Sequence, residues 1–193
     1  MDVINTLELI IPKMKRQIHQ KKIHSLDVIN ELIKKEGKYF PIRDLDFFFA
    51  KIGVYLKSQE VTELLNHCAH SRTQIDLVRM VELLKTEVPA DILHTLERIF
   101  NKLSGAQAAM DVEELLQHLN VNEYPQMELM NKNMQLIKEN IFNGFHYILG
   151  DNKIITKEQF IEFHNNIFWV LPEHKINEFK NKLPLMWGIR RLR

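Results

Sequence analysis

Apolar residues return every three or four positions along nearly the whole chain, and this spacing confines it to amphipathic helices packed on a shared core. One stripe is Val28, Ile29, Leu32 and Ile33; a second is Val61, Leu64, Leu65 and Cys68. Leu93, Leu96, Phe100 and Leu103 form a third, and Ile137, Ile141, Phe142 and Phe145 a fourth. Between them lie companion stripes on Leu45, Phe48, Phe49 and Ile52; on Met80, Leu83 and Leu84; on Leu115 and Leu119; and on Phe160, Phe163 and Ile167. Six Gly and six Pro in 193 residues is roughly half the usual share, too few turn formers for sandwiches, barrels or Gly-rich phosphate loops. The chain reads as all-α.

Breaks in the pattern divide it. Pro89, after VELLKTEV, marks a hinge between two halves of four helices each. Asn120–Pro125 closes a helix, and Pro172 and Pro184 punctuate the carboxyl end. The expected segments are a basic helix at 1–24, a first lobe at 25–88, a second at 89–174 and a basic helix or tail at 175–193. The net charge of +1 conceals +3 at 1–24 and +5 at 175–193, against −7 between them. One cysteine allows no internal disulfide and points to a reducing compartment. No apolar run reaches the roughly 18 residues of a membrane span, and the amino terminus lacks the order of a secretory signal.

The helix pairs repeat. In KYFPIRDLDFF, TQIDLVRMVELL, AAMDVEELLQHL and KIITKEQFIEF one apolar residue (Phe40, Ile75, Met110, Ile155) precedes the first apolar residue of the next helix (Leu45, Met80, Leu115, Phe160) by five positions. That is the second half of an EF-hand, with the apolar residue at loop position 8, where two loops pair as a short antiparallel bridge. Calcium needs oxygen ligands at positions 1, 3, 5 and 12 and Gly at 6. The second loop instead offers Cys68, His70, Arg72, Thr73 and, at position 12, Arg79. The third keeps Glu114 at position 12 behind Ser104, Ala106 and Ala108 and is a residue short; the fourth has Gln159, with Gly150 and Asp151 upstream. The first has Asp44, preceded by Lys34, Lys35 and Lys38. None is expected to bind calcium, and the eight Asp and six Gly fall short of what four working loops ask.

The order of these features resembles the calcyphosin-like EF-hand family over roughly residues 16–189. The matching features are an amino-terminal basic helix, a proline-marked linker before the second pair, the stretch Asn122-Glu123-Tyr124-Pro125, the phenylalanine-rich IKENIFNGF, and Trp187 in LPLMWGI. The resemblance implies two lobes of paired, degenerate EF-hands, calmodulin-like helix–loop–helix pairs. Of the family's calcium ligands only Asp44 and Glu114 have counterparts. Family members with failed loops are similar to small helical proteins inside ciliary doublet microtubules. The resemblance therefore implies a structural or adaptor protein of the cytoplasmic cytoskeleton, in the ciliary axoneme, bound to tubulin and neighbouring axonemal proteins. The alternatives are a residual calcium-binding regulator of the calcyphosin type and a general cytosolic adaptor.

Catalysis is not expected, since no paired carboxylates, nucleophile triad or phosphate loop is evident; nor is a cofactor, a nucleic acid or a membrane. His67-Cys68-Ala69-His70 offers half a zinc site with no second ligand pair, so no metal is expected, and Cys68 continues an apolar stripe as an inert thiol. The candidate partner-binding residues are Lys13, Lys15, Arg16, Lys21, Lys22, Trp187, Arg190, Arg191 and Arg193: cations for an acidic surface, with an aromatic anchor. Trp187 has a second reading, folded onto its own lobe. Met127, Met130 and Met134 are expected as helical core rather than an adaptable groove, and Phe168 and Trp169 likewise.

Overall fold

A computed structural model describes residues 6–23, 25–85, 87–124 and 133–190. Pro125, Met127, Met130, Arg191 and Arg193 lie outside the described residues. The protein is mostly helical, with ten α-helices and four three-residue strands among the described residues. The chain forms two compact units: Met1–Thr86 with Trp169–Glu173, and Glu87–Phe168 with His174–Arg193.

In the amino unit α1 (Thr6–Gln20) precedes α2 (Leu26–Glu36), β1 (Tyr39–Pro41), α3 (Leu45–Ile52), α4 (Ser58–Cys68), β2 (Gln74–Asp76) and α5 (Leu77–Leu84). The predicted stripes lie inward: Ile29, Leu45, Phe48, Phe49, Ile52, Leu64, Cys68, Met80 and Leu84 are all buried. The basic amino-terminal helix is no appendage. Ile10, Ile11, Met14 and Ile18 follow i, i+3/i+4 spacing and put α1 into this same core. Val170 joins it too, and Lys85 Nζ stands 5.1 Å from the Trp169 ring centroid, so the stretch around Pro172 returns to the first unit.

β1 and β2 pair antiparallel, with Phe40 opposite Ile75. The ladder extends at its ends: the Leu77 N–H donates to Lys38 O at 3.0 Å and the Ile42 N–H to Thr73 O at 2.9 Å. The carboxyl unit repeats this arrangement. It runs α6 (Ala90–Leu103), β3 (Ala109–Asp111), α7 (Val112–Gln117), α8 (Met134–Leu149), β4 (Ile154–Thr156), α9 (Lys157–Phe168) and α10 (Glu173–Met186). Met110 lies opposite Ile155, and the Val112 N–H donates to Lys153 O at 2.9 Å. Phe40, Ile75, Met110 and Ile155 are all buried, so each link carries one side chain into the core of its unit.

Side-chain caps start the helices that leave these links. Asp76 Oδ1 accepts from the Val78 and Arg79 N–H groups at 3.0 and 3.1 Å, and Asp111 Oδ1 from those of Glu113 and Glu114 at 2.7 and 3.3 Å. Thr156 and Gln159 close a reciprocal capping box: Thr156 Oγ1 accepts from the Gln159 N–H, while Gln159 Oε1 accepts from the Thr156 N–H. Pro41 has no such side chain, and a 3-10 turn over Ile42–Asp44 leads into α3 instead.

Three expectations are corrected. Phe142 is 52% exposed, because a rotation of about 100° per residue swings it off the face shared by Ile137, Ile141 and Phe145. Met134, at the start of α8, is likewise exposed rather than core. Pro184 lies inside α10, near enough to its end that the helix reaches Met186, and the Trp187 and Ile189 N–H groups then donate to Pro184 O. Ile75, fully buried on its ladder, sets a stability prediction: Ile75→Ala costs about 2–5 kcal/mol. Urea unfolding followed by circular dichroism measures it, and exposed Val78→Ala serves as the near-neutral comparison.

Candidate functional site

Seven of the nine residues singled out for partner binding are described, and they separate by environment. Arg16 on α1 and Lys21 and Lys22 in the turn after it are exposed. Lys13 is half-buried and engaged: its Nζ donates to both Glu60 oxygens at 2.8 and 2.6 Å, tying α1 to α4. That contact, with the Lys57 N–H on the same carboxylate, holds the Glu60 carboxyl below its usual range. Gln17 adds a second tie, donating to Tyr55 O at 3.2 Å and accepting from the Tyr55 N–H at 3.0 Å. The stem of Lys21 lies across Gly53, whose positive φ of 73° suits the αL end of α3. A Cβ there would stand 2.5 Å from that of Lys21.

Lys15 is a correction. It is only 7% exposed, so its ammonium is not offered to a partner, and burial lowers its pKa from 10.5 to about 8. Trp187 is a second correction as a partner-binding residue, and it follows the other reading, folded onto its own lobe. It is fully buried in the carboxyl unit among Phe145, Phe160 and His164, with ring centroids 6.3, 5.3 and 5.7 Å away. Its Nε1–H donates to His164 Nε2 at 2.9 Å, and His164 Nδ1 lies 2.7 Å from Phe160 O. A ring that accepts at Nε2 must donate from Nδ1 to that carbonyl, which fixes one neutral tautomer. Trp187 is an internal anchor, holding the chain after α10 against α9. Arg190 beyond it is exposed.

Beneath the second link, Cys68 is buried and its thiol is pushed up to about 11 by desolvation, with Arg79 opposing and Asp76 reinforcing the shift. Such a thiol is neither nucleophile nor ready metal ligand at neutral pH. Among the described residues no three His, Cys, Asp or Glu side chains are placed to hold a metal ion. No described helix is long and apolar enough to cross a membrane. A groove of about 680 Å³ separates α7 from α8, with Leu116, Leu119 and Phe142 on its apolar side and Glu113, Lys138 and Glu139 on its polar side. It holds no convergence of nucleophile and base.

The chain matches no protein-family model and no curated protein. Function must therefore be argued from these surfaces.

Sequence reasoning passed over two features. His164 lies at apolar spacing with Phe160, Phe163 and Ile167, so its place on a buried stripe was readable, though not its partner. Of the exposed cations, Lys38, Arg72 and Arg79 enter the sequence reading only as spoilers of metal loops and Arg43 not at all, but the β1–β2 ladder joins the two links beside which they lie.

Two pH-dependent outcomes follow from the buried bases. Desolvation lowers the pKa of His164 from 6.5 to about 4, so between those values the unfolded chain holds the extra proton. Stability is thus unaffected by His164 above pH 6.5 and falls as pH drops towards 4, by up to about 3 kcal/mol. Thermal melts across that range check this, and His164→Phe should flatten the decline. Lys15 acts in the alkaline range: below pH 8 the ammonium is charged in both states and its burial is a full penalty, which is relieved as pH rises from 8 to 10.5. Lys15→Met should therefore melt higher than the parent at neutral pH, the gap narrowing by pH 10.

Proposed function

We propose that the chain is a non-catalytic structural or adaptor protein built from two pairs of degenerate EF-hands, without a calcium switch, attached to ciliary doublet microtubules. The observation that carries this reading is the register of the two ladders. Phe40 lies opposite Ile75 and Met110 opposite Ile155, the four residues that the repeat puts at loop position 8. In a pair of EF-hands those are the residues that meet.

The position-12 residues support the loss of calcium binding. Gln159 closes a capping box with its own loop's Thr156. Asp44 is 3.4 Å from Arg43 Nε, and Arg79 brings a cation to the second loop. Glu114 contributes an N–H to the Asp111 cap and keeps its carboxylate exposed. Caps that hold the exit helices in place without an ion give each unit one standing shape, which suits permanent assembly better than signalling. Arg16, Lys21 and Lys22, the exposed cations beside the β1–β2 ladder, and Arg190 favour an acidic partner such as the tubulin surface. The ciliary assignment rests on the calcyphosin-like order of motifs.

Two measurements test the proposal. Isothermal calorimetry with calcium should show no saturable heat in the micromolar range, and a micromolar site would overturn the reading of the loops. On fractionation of cilia the protein should remain with the detergent-insoluble doublets, and its release with the soluble fraction would overturn the microtubule assignment.

A further inference from the structure

The loop end of the amino unit carries a charge pattern that neither its packing nor its caps require. The β1–β2 ladder sets Lys38–Arg43 beside His70–Arg79, with Tyr39 opposite Asp76. The Tyr39 ring stacks on His70, centroids 3.9 Å apart, and remains 42% exposed. Lys38, Arg43, Arg72 and Arg79 are all exposed on these segments.

The acids among them are already engaged. The Asp76 carboxylate is buried, caps α5 through one oxygen and has Lys38 Nζ 3.5 Å from the other. Asp44 pairs with Arg43. Neither the Arg72 nor the Arg79 guanidinium forms an ion pair among the described residues. The segments flanking the ladder therefore carry two guanidinium forks outside any ion pair, two further cations paired with Asp76 and Asp44, and the Tyr39–His70 stack, with Lys38 Nζ 5.1 Å from the Tyr39 ring centroid.

We propose that this face docks an acidic, extended peptide segment of a protein partner. Guanidinium forks match carboxylates in a bidentate way and are weakly hydrated, so they lose little on pairing. The Tyr39–His70 stack gives the peptide backbone a rigid surface to lie on at low entropic cost. Nucleic acid is the weaker fit, because its affinity is built by neutralising many phosphates along a track, and here only two forks are free. That the partner is a protein rests on the adaptor reading above; the place rests on the loop geometry.

Fluorescence anisotropy with a labelled oligoglutamate peptide tests it on the full chain. The parent should bind, with affinity falling as salt is added. Arg72→Gln with Arg79→Gln should weaken binding about tenfold, while Lys138→Gln with Lys153→Gln, exposed cations of the carboxyl unit, should change it less than about twofold. Arg72→Lys with Arg79→Lys, which keeps the charge and loses the forks, should fall between. The exposed side chains leave the core intact, so melting temperatures should match the parent. No binding by the parent, equal losses in the two glutamine pairs, or tighter binding of labelled oligothymidylate would each overturn the proposal. Pelleting with microtubules separates the two readings. Pelleting without peptide binding overturns the loop face and upholds the adaptor, whereas peptide binding without pelleting upholds the loop face and removes the microtubule.

Discussion

Each unit depends on one short ladder. Three residues from each of two links pair antiparallel, and the pairing does two things at once. It satisfies backbone groups that the helix ends leave open, and it drives one apolar side chain from each link into the core. Four helices then emerge from a common origin, their inward faces already in register. A slip of one residue would turn Phe40 or Ile75 to solvent, so burial and hydrogen bonding select the same register.

The caps complete what the ladder starts. Asp76, Asp111 and the Thr156–Gln159 box each bind the first N–H groups of an exit helix. These are local contacts within three residues of one another, made by side chains of the links themselves. The first link, with Pro41 in the capping place, uses a 3-10 turn and a bond from Ile42 to the neighbouring link instead. The four links are thus alike in position and different in chemistry.

Much of this was legible because burial in a helix is periodic. Phe48, Ile52, Leu64, Leu96, Phe160 and Phe163 could be placed by spacing alone. What spacing cannot supply is the third dimension. Trp187 lies beyond α10, in no stripe, and only a tertiary contact with His164 explains its burial. Lys15 reads as charge, yet its neighbours Met14 and Ile18 carry it into the core with them. Arg72 and Arg79 are seven residues apart, and spacing does not show that the ladder sets the link between them beside Tyr39.

The two tryptophans fall one to each unit. Trp169 is partly exposed beside the Lys85 ammonium in the amino unit, while Trp187 is sealed inside the carboxyl unit with its indole N–H committed to a neutral imidazole. The more open ring of Trp169 and the sealed ring of Trp187 should answer differently to a quencher dissolved in the solvent, without any added label.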